Sequence, residues 1–206
     1  RCIAAIYRLG TPNILMQAAY TVYIFGLNLI LATFSDQAVT VLGLYYKWQS
    51  FFFIPLGSMQ TCIVPVVSYN YAARNIGRCK KTLVTAIVFG MALMFLGTLC
   101  FEIIPGPMLR VFSSDEKVIE IGVTAFRIIG ISFIPLVSSL TFPVFFQAVG
   151  WSLKSSLLTV FRTVVLFVPL AFIFSRIGDL DWFWLTFPVT DSLSTLLGFI
   201  WYKKFM

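Results

Sequence analysis

Apolar stretches run along the chain at about 11–34, 37–69, 82–105, 118–148, 155–175 and 182–202, with short polar breaks between them. The breaks are Ser35-Asp36, Arg74 to Lys81, Arg110 to Lys117, Gly150 to Lys154 and Arg176 to Asp181. Each stretch reaches the roughly 20 residues that carry a helix across hydrocarbon. Leu, Ile, Val and Phe follow one another without a two-residue alternation, so the pattern predicts helices and not the strands of a membrane barrel. The breaks are too short to hold a soluble domain. The expected fold is all-α: one transmembrane domain over 1–206, a polytopic six-helix bundle with near-antiparallel neighbours.

Composition agrees. The 206 residues are 59% hydrophobic and only 11% charged, with a mean hydropathy of +0.93. A water-soluble domain of this size has too little interior for that apolar surface. The lipid bilayer is therefore the first expected partner. The net charge of +7 does not point to nucleic acid, because the cations sit at span ends. With the N-terminus inside, Arg1, Arg8, Arg74, Arg78, Lys80, Lys81, Lys154, Arg162, Lys203 and Lys204 fall at cytoplasmic ends, with no acid among them. The outer ends mix Arg110, Lys117 and Arg176 with Asp36, Asp115, Glu116, Glu120, Asp179 and Asp181. Positive-inside asymmetry thus predicts that both ends of the chain are cytoplasmic. The chain opens on Arg1 without a starting Met, as a segment of a longer protein would.

The absence of histidine excludes His-based metal sites and Ser-His triads. No nucleophile–base pair and no paired membrane aspartates stand in the spans, so no enzyme and no cofactor are expected. Cys2, Cys62, Cys79 and Cys100 form no CxxC pair and read as free thiols.

Charges within the spans are costly and usually face a cavity or a partner. Glu102 lies near the end of its span and reads as interfacial. Lys47, Arg127 and Asp191 each lie about ten residues in from the outer end, which at 1.5 Å per residue is roughly 15 Å deep. Equal depth and opposite sign predict that Asp191 pairs with Lys47 or Arg127. Polar stripes accompany them. Asn13, Gln17 and Tyr20 share a face of span one, Ser58 and Thr61 a face of span two with Lys47, and Ser194 and Thr195 follow Asp191 on span six. Such stripes line an aqueous cavity or bond helix to helix, and the spacing leaves both open. Pro55, Pro65 and Pro135 are candidate helix hinges.

Several segments together resemble the multidrug and toxic compound extrusion (MATE) family of transporters, in its MepA-like branch. They are Arg8-Leu9-Gly10-Thr11-Pro12, Gly43 to Phe51, Ile54-Pro55-Leu56-Gly57, Pro65 to Arg74 with its Asn-Tyr-Ala-Ala turn, Ala125 to Ile129, Gln147-Ala148-Val149-Gly150 and Phe187 to Asp191. The resemblance implies the C-terminal six-helix lobe of a twelve-helix transporter in a bacterial cytoplasmic membrane. Such a transporter exports cationic or amphiphilic compounds by antiport against H⁺ or Na⁺. The expected docking partner is the missing N-terminal lobe or a second copy, against which the polar stripes of spans one, two and six would gather on one side. Span one lacks the acid that some members carry on their seventh helix. The alternative within the same superfamily is a flippase for a lipid-linked oligosaccharide or related lipid.

Overall fold

The computed structural model describes residues 2–205, with side chains described for Thr11, Ile14 and residues 17–204. The backbone is helical almost throughout. The helices are α1 (Cys2–Ala32), α2 (Asp36–Ala72), α3 (Ile76–Ile103), the short α4 (Pro105–Arg110), α5 (Glu116–Ala148), α6 (Ser152–Val160), α7 (Val168–Ile177), the short α8 (Leu180–Trp184) and α9 (Thr186–Phe205). A π-helical segment, Phe161–Phe167, joins α6 to α7, so Ser152–Ile177 is one continuous span. Among the described residues, 5 helices are long and apolar enough to cross a membrane, and Gln17–Ala32 of α1 is a shorter apolar stretch.

The helices begin earlier than the apolar runs because polar residues cap and enter them. Asn75 accepts the backbone N–H of Arg78 at 3.2 Å, so Arg78, Lys80 and Lys81 belong to the first turns of α3 and not to a loop. Ser35 caps α2 through the N–H of Ala38, and Asp115 caps α5 through that of Lys117. Pro55, Pro65 and Pro135 lie inside helices that run on unbroken.

The Asn-Tyr-Ala-Ala turn closes α2 by a Schellman pattern. The Asn75 N–H bonds the Asn70 carbonyl at 2.8 Å, and Arg74 takes a φ of 56°. α5 ends in the same way, with Gly150 at φ 84° and the Trp151 N–H on Phe146. Only the second turn has the residue that fits without strain. Arg74→Gly is expected to stabilise the lobe by about 1 kcal/mol, read as a raised thermal midpoint in detergent. The Ser68 hydroxyl ties the two turns together through the Ala148 carbonyl at 2.8 Å.

α5 is the axis of the bundle. It packs on α2, α3, α4, α6, α8 and α9. Within its most apolar window 67% of residues are buried, against 17% in α2, which places α2 at the periphery. An aromatic core sits between α3 and α5, where Phe101 stacks on Phe126 at 4.6 Å and meets Phe133 at 4.8 Å. α1 lies on the other flank, against α2, α6, the π segment and α7.

Candidate functional site

The arrangement with the clearest chemical content is a buried ion pair. Arg162 Nε and Nη2 each lie 2.7 Å from Asp191 Oδ1. The Ser139 hydroxyl of α5 lies 3.3 Å from the same oxygen and shares its one proton between it and the Leu136 carbonyl at 2.9 Å. The Asp191 side chain is fully buried and that of Arg162 is 14% exposed. Counting about ten residues from the start of each span puts both groups roughly 15 Å deep, near mid-membrane. Here a lone charge would lose its hydration with nothing in return, so guanidinium and carboxylate stabilise each other.

Local backbone explains how two adjacent spans bring these residues together. Pro169 has no N–H for the carbonyl four residues before it, and the wide turns of the π segment relieve the resulting clash. Arg162 is the second residue of that segment. Thr163 bonds back to the Thr159 carbonyl at 2.8 Å. Aromatic side chains wall the site toward the acidic end of the bundle: Phe167 meets Tyr23 edge-on at 4.7 Å and Phe187 at 4.8 Å, and Phe187 meets Tyr45 at 5.3 Å.

The site is polar beyond its charges. Asp191 Oδ2, Thr190 Oγ1, Ser194 Oγ and the Tyr45 hydroxyl are buried without a hydrogen-bond partner. Buried polar groups of this kind are rare and costly unless water, an ion or a proton serves them. On the opposite side of Arg162 a cavity of ≈ 210 Å³ opens between α2, α5 and α6, lined among others by Gln60, Ser139, Gln147, Ser155, Thr159 and Arg162.

The expected pairing of Asp191 with Lys47 or Arg127 is therefore corrected: its partner is Arg162. Arg162 is thus not a cytoplasmic-end cation but a residue deep inside span five, Ser152–Ile177. Lys47 instead sits 4.7 Å over the Phe112 ring, because the α4 connection folds back on α2. There Trp48 Nε1 bonds the Met108 carbonyl at 3.1 Å. Arg127 is exposed on α5, about 18 Å along the helix from Ser139.

The polar stripes also separate. Gln17 and Tyr20 of span one and Ser58 and Thr61 of span two are exposed. The two hydroxyls of span two bond carbonyls of their own helix, Ile54 at 2.9 Å and Gly57 at 3.0 Å. The stripe of span six turns inward instead. Ser194 is fully buried, and Thr195 donates to the Pro135 carbonyl at 2.8 Å. Gly198 permits this approach, since a Cβ there would stand 2.6 Å from the Phe142 ring. The gathering of all three stripes on one open side is thus corrected for span six. The side chain of Asn13 lies outside the described residues. Cys62, Cys79 and Cys100 are free thiols.

The bundle can be set beside proteins already known. The sequence model of the MatE family matches residues 12–173. Multidrug export protein MepA of Staphylococcus aureus (strain bovine RF122 / ET3-1) is 21% identical over 199 residues, which is 96% of this chain and 44% of that protein. The MepA of Staphylococcus haemolyticus (strain JCSC1435) is 23% identical over 95% of this chain and 39% of its own length. The chain thus spans less than half the length of the curated relatives it matches. Among solved structures, the Vibrio cholerae MATE transporter VcmN superposes with a TM-score of 0.91 at 17% identity, covering 98% of this chain and 46% of that one. A transporter of the MOP superfamily from Pyrococcus furiosus gives 0.89 at 23% identity, covering 95% and 45%. Those two likenesses establish the fold, and with the family match over most of its length this multi-pass membrane chain belongs to the MatE family.

Proposed function

We propose that this chain is the C-terminal lobe of a secondary transporter of the bacterial cytoplasmic membrane, which exports cationic or amphiphilic compounds against H⁺ or Na⁺. The observation that carries the reading is the wholly buried Asp191, bound by Arg162 between two spans at mid-depth. A charge pair there adds little to stability over apolar packing, but it gives the bundle a group whose charge can change during a cycle. The family, the fold and the multidrug-export relatives support the same reading. The exposed polar side chains Gln17 and Tyr20 on α1 and Ser58 and Thr61 on α2 suit contact with a second lobe or with an aqueous cleft, as transporters built of two repeats place their substrate where the repeats meet.

The test is uptake into everted membrane vesicles carrying the native protein. A fluorescent organic cation should accumulate when a proton or a sodium gradient is imposed, and which gradient drives it names the ion. Vesicles that ignore both gradients while moving a lipid-linked oligosaccharide between leaflets would assign the protein to the flippase alternative. The isolated 206-residue chain in liposomes should transport nothing, because one bundle supplies one wall of the cleft.

Orientation follows from the same reading. In spheroplasts, Lys80→Cys should react with a membrane-impermeant thiol reagent only after lysis, and Glu116→Cys should react before it. Both positions are exposed, whereas the native Cys79 is buried and a poor reporter. The reverse labelling pattern overturns cytoplasmic ends.

A further inference from the structure

The cavity beside Arg162 is lined lengthwise by residues of two helices. Ser155, Thr159 and Arg162 follow one another on one face of the span, at steps of four and three residues, and cover about 10 Å from the basic end toward mid-depth. Ser139, Pro143 and Gln147 do the same on α5, and Gln60 closes the third side from α2. Gln60 Nε2 and Ser155 Oγ are buried without a partner, and Ser155 is only 1% exposed. A volume of ≈ 210 Å³ has room for several waters, which would satisfy both atoms. Asp191 lies one hydrogen bond behind the wall, since two wall residues, Arg162 and Ser139, contact its Oδ1.

We propose that this cavity is a water-filled half-channel from the basic end to the Arg162–Asp191 pair, and that Asp191 takes up a proton as Arg162 swings from it into the channel. This deepens the reading of the chain as an antiporter lobe and rests on it, with H⁺ as the coupling ion. The step balances simply. A hydronium in the channel gives its proton to an Asp191 oxygen, a water remains, and the site passes from neutral to one net positive charge on Arg162. The Gln60 and Gln147 amides and the Ser155 hydroxyl then offer the guanidinium oxygen acceptors in place of the carboxylate. A site that gains a positive charge on protonation repels a cationic substrate and admits one again when the proton leaves.

Among the described residues, the ionisable groups bearing on the Arg162–Asp191 pair are the phenols of Tyr20 and Tyr23 on α1 and of Tyr45 and Tyr46 on α2. α5 presents Ser139. The cations of α6 and α7 are engaged elsewhere, Lys154 over Trp151 and Arg176 over Phe172. Sodium is the weaker candidate, because it would have to sit on a carboxylate that a guanidinium already holds at 2.7 Å.

The experiment is thiol labelling in the full native protein in its own membrane, with native cysteines replaced. The cysteine thiolate, which forms in water and not in lipid, attacks the sulfenyl sulfur of a methanethiosulfonate and displaces methanesulfinate. Thr159→Cys should react from the basic side at least about tenfold faster than Leu157→Cys, which is exposed on the lipid face of the same helix. Equal rates, or labelling from the acidic side alone, overturn the channel. The ratio of anionic to cationic reagent rates at position 159 then reads the charge of Arg162, and thiol ionisation cancels in that ratio. It should rise several-fold as pH falls. Asp191→Asn, if it folds, should show the high ratio at every pH. A ratio independent of pH overturns proton uptake, and one that follows Na⁺ concentration at fixed pH assigns the site to sodium. Labelling does not depend on transport, so a dry cavity in a working exporter sinks this inference alone, and a wet one in a protein that exports nothing sinks the antiporter reading.

Discussion

Arg162→Met should destabilise the lobe by about 3–5 kcal/mol, because it leaves Asp191 buried, charged and unpaired. In the paired state the carboxylate is fully buried, and its one other contact is the Ser139 hydroxyl at 3.3 Å, too weak to take the place of the guanidinium. Asp191→Leu should cost a similar amount, since Arg162 then loses its counter-ion. The double variant Arg162→Met/Asp191→Leu should recover most of the loss, as paired apolar replacements of buried ion pairs commonly do. The measurement is a double-mutant cycle on thermal or denaturant unfolding of the purified protein in detergent. All three variants should fail to transport, so recovery of stability without recovery of export separates the structural role of the pair from its functional one. Lys47→Met is the contrasting case. Its ammonium lies over Phe112 and touches no acid, so the loss should stay near the 0.5–1 kcal/mol typical of an exposed cation–π contact. Were Lys47 the true partner of Asp191, the two outcomes would be exchanged.

The helical bundle was legible because lipid forces each span to satisfy its own backbone, and the apolar runs mark that requirement directly. Span ends were less so. The Asn75 cap draws Arg78, Lys80 and Lys81 into α3, and hydropathy reads those cations as loop. The ion pair was half legible. Asp191 stood out as a midspan acid, but Arg162 was grouped with the terminal cations, since charge counting assigns every arginine to the nearer side. Its depth within Ser152–Ile177 was the available signal. Lys47 misled for the opposite reason, because depth along one helix says nothing about a connection such as α4 folding back to meet it. The π segment had one trace in the sequence, Pro169, and many prolines in membrane helices do without such a segment. The inward turn of Ser194 depends on Gly198 meeting Phe142 across two helices, a contact that no single-helix pattern contains.

The seam between α3 and α5 should be almost as sensitive as the ion pair. Without a hydrophobic force between helices in lipid, association depends on close packing, and small residues allow it. Along this antiparallel seam glycines face large side chains in register. A Cβ on Gly90 would stand 2.7 Å from Val137, one on Gly97 3.1 Å from the Phe133 ring, and one on Gly130 2.9 Å from the Cβ of Phe101. The last differs in kind. Val137 and Phe133 can yield by rotating, but the Cβ of Phe101 is fixed to its backbone, so the helices themselves must part. Parting them loosens the stack of Phe101 on Phe126 and stretches the 3.0 Å bond from Thr98 Oγ1 to the Gly130 carbonyl. Gly130→Val should therefore cost about 3 kcal/mol, the upper part of the overpacking range, and Gly90→Ala about 1 kcal/mol. Gly43→Ala should be neutral or slightly stabilising, since a Cβ at that helical position meets nothing within 4 Å. Unfolding midpoints of the three variants in one detergent give the order. Equal losses at Gly130 and Gly43 would mean that helix propensity and not interhelical contact sets the cost, and the α3–α5 seam would lose its place as the packing core of the lobe.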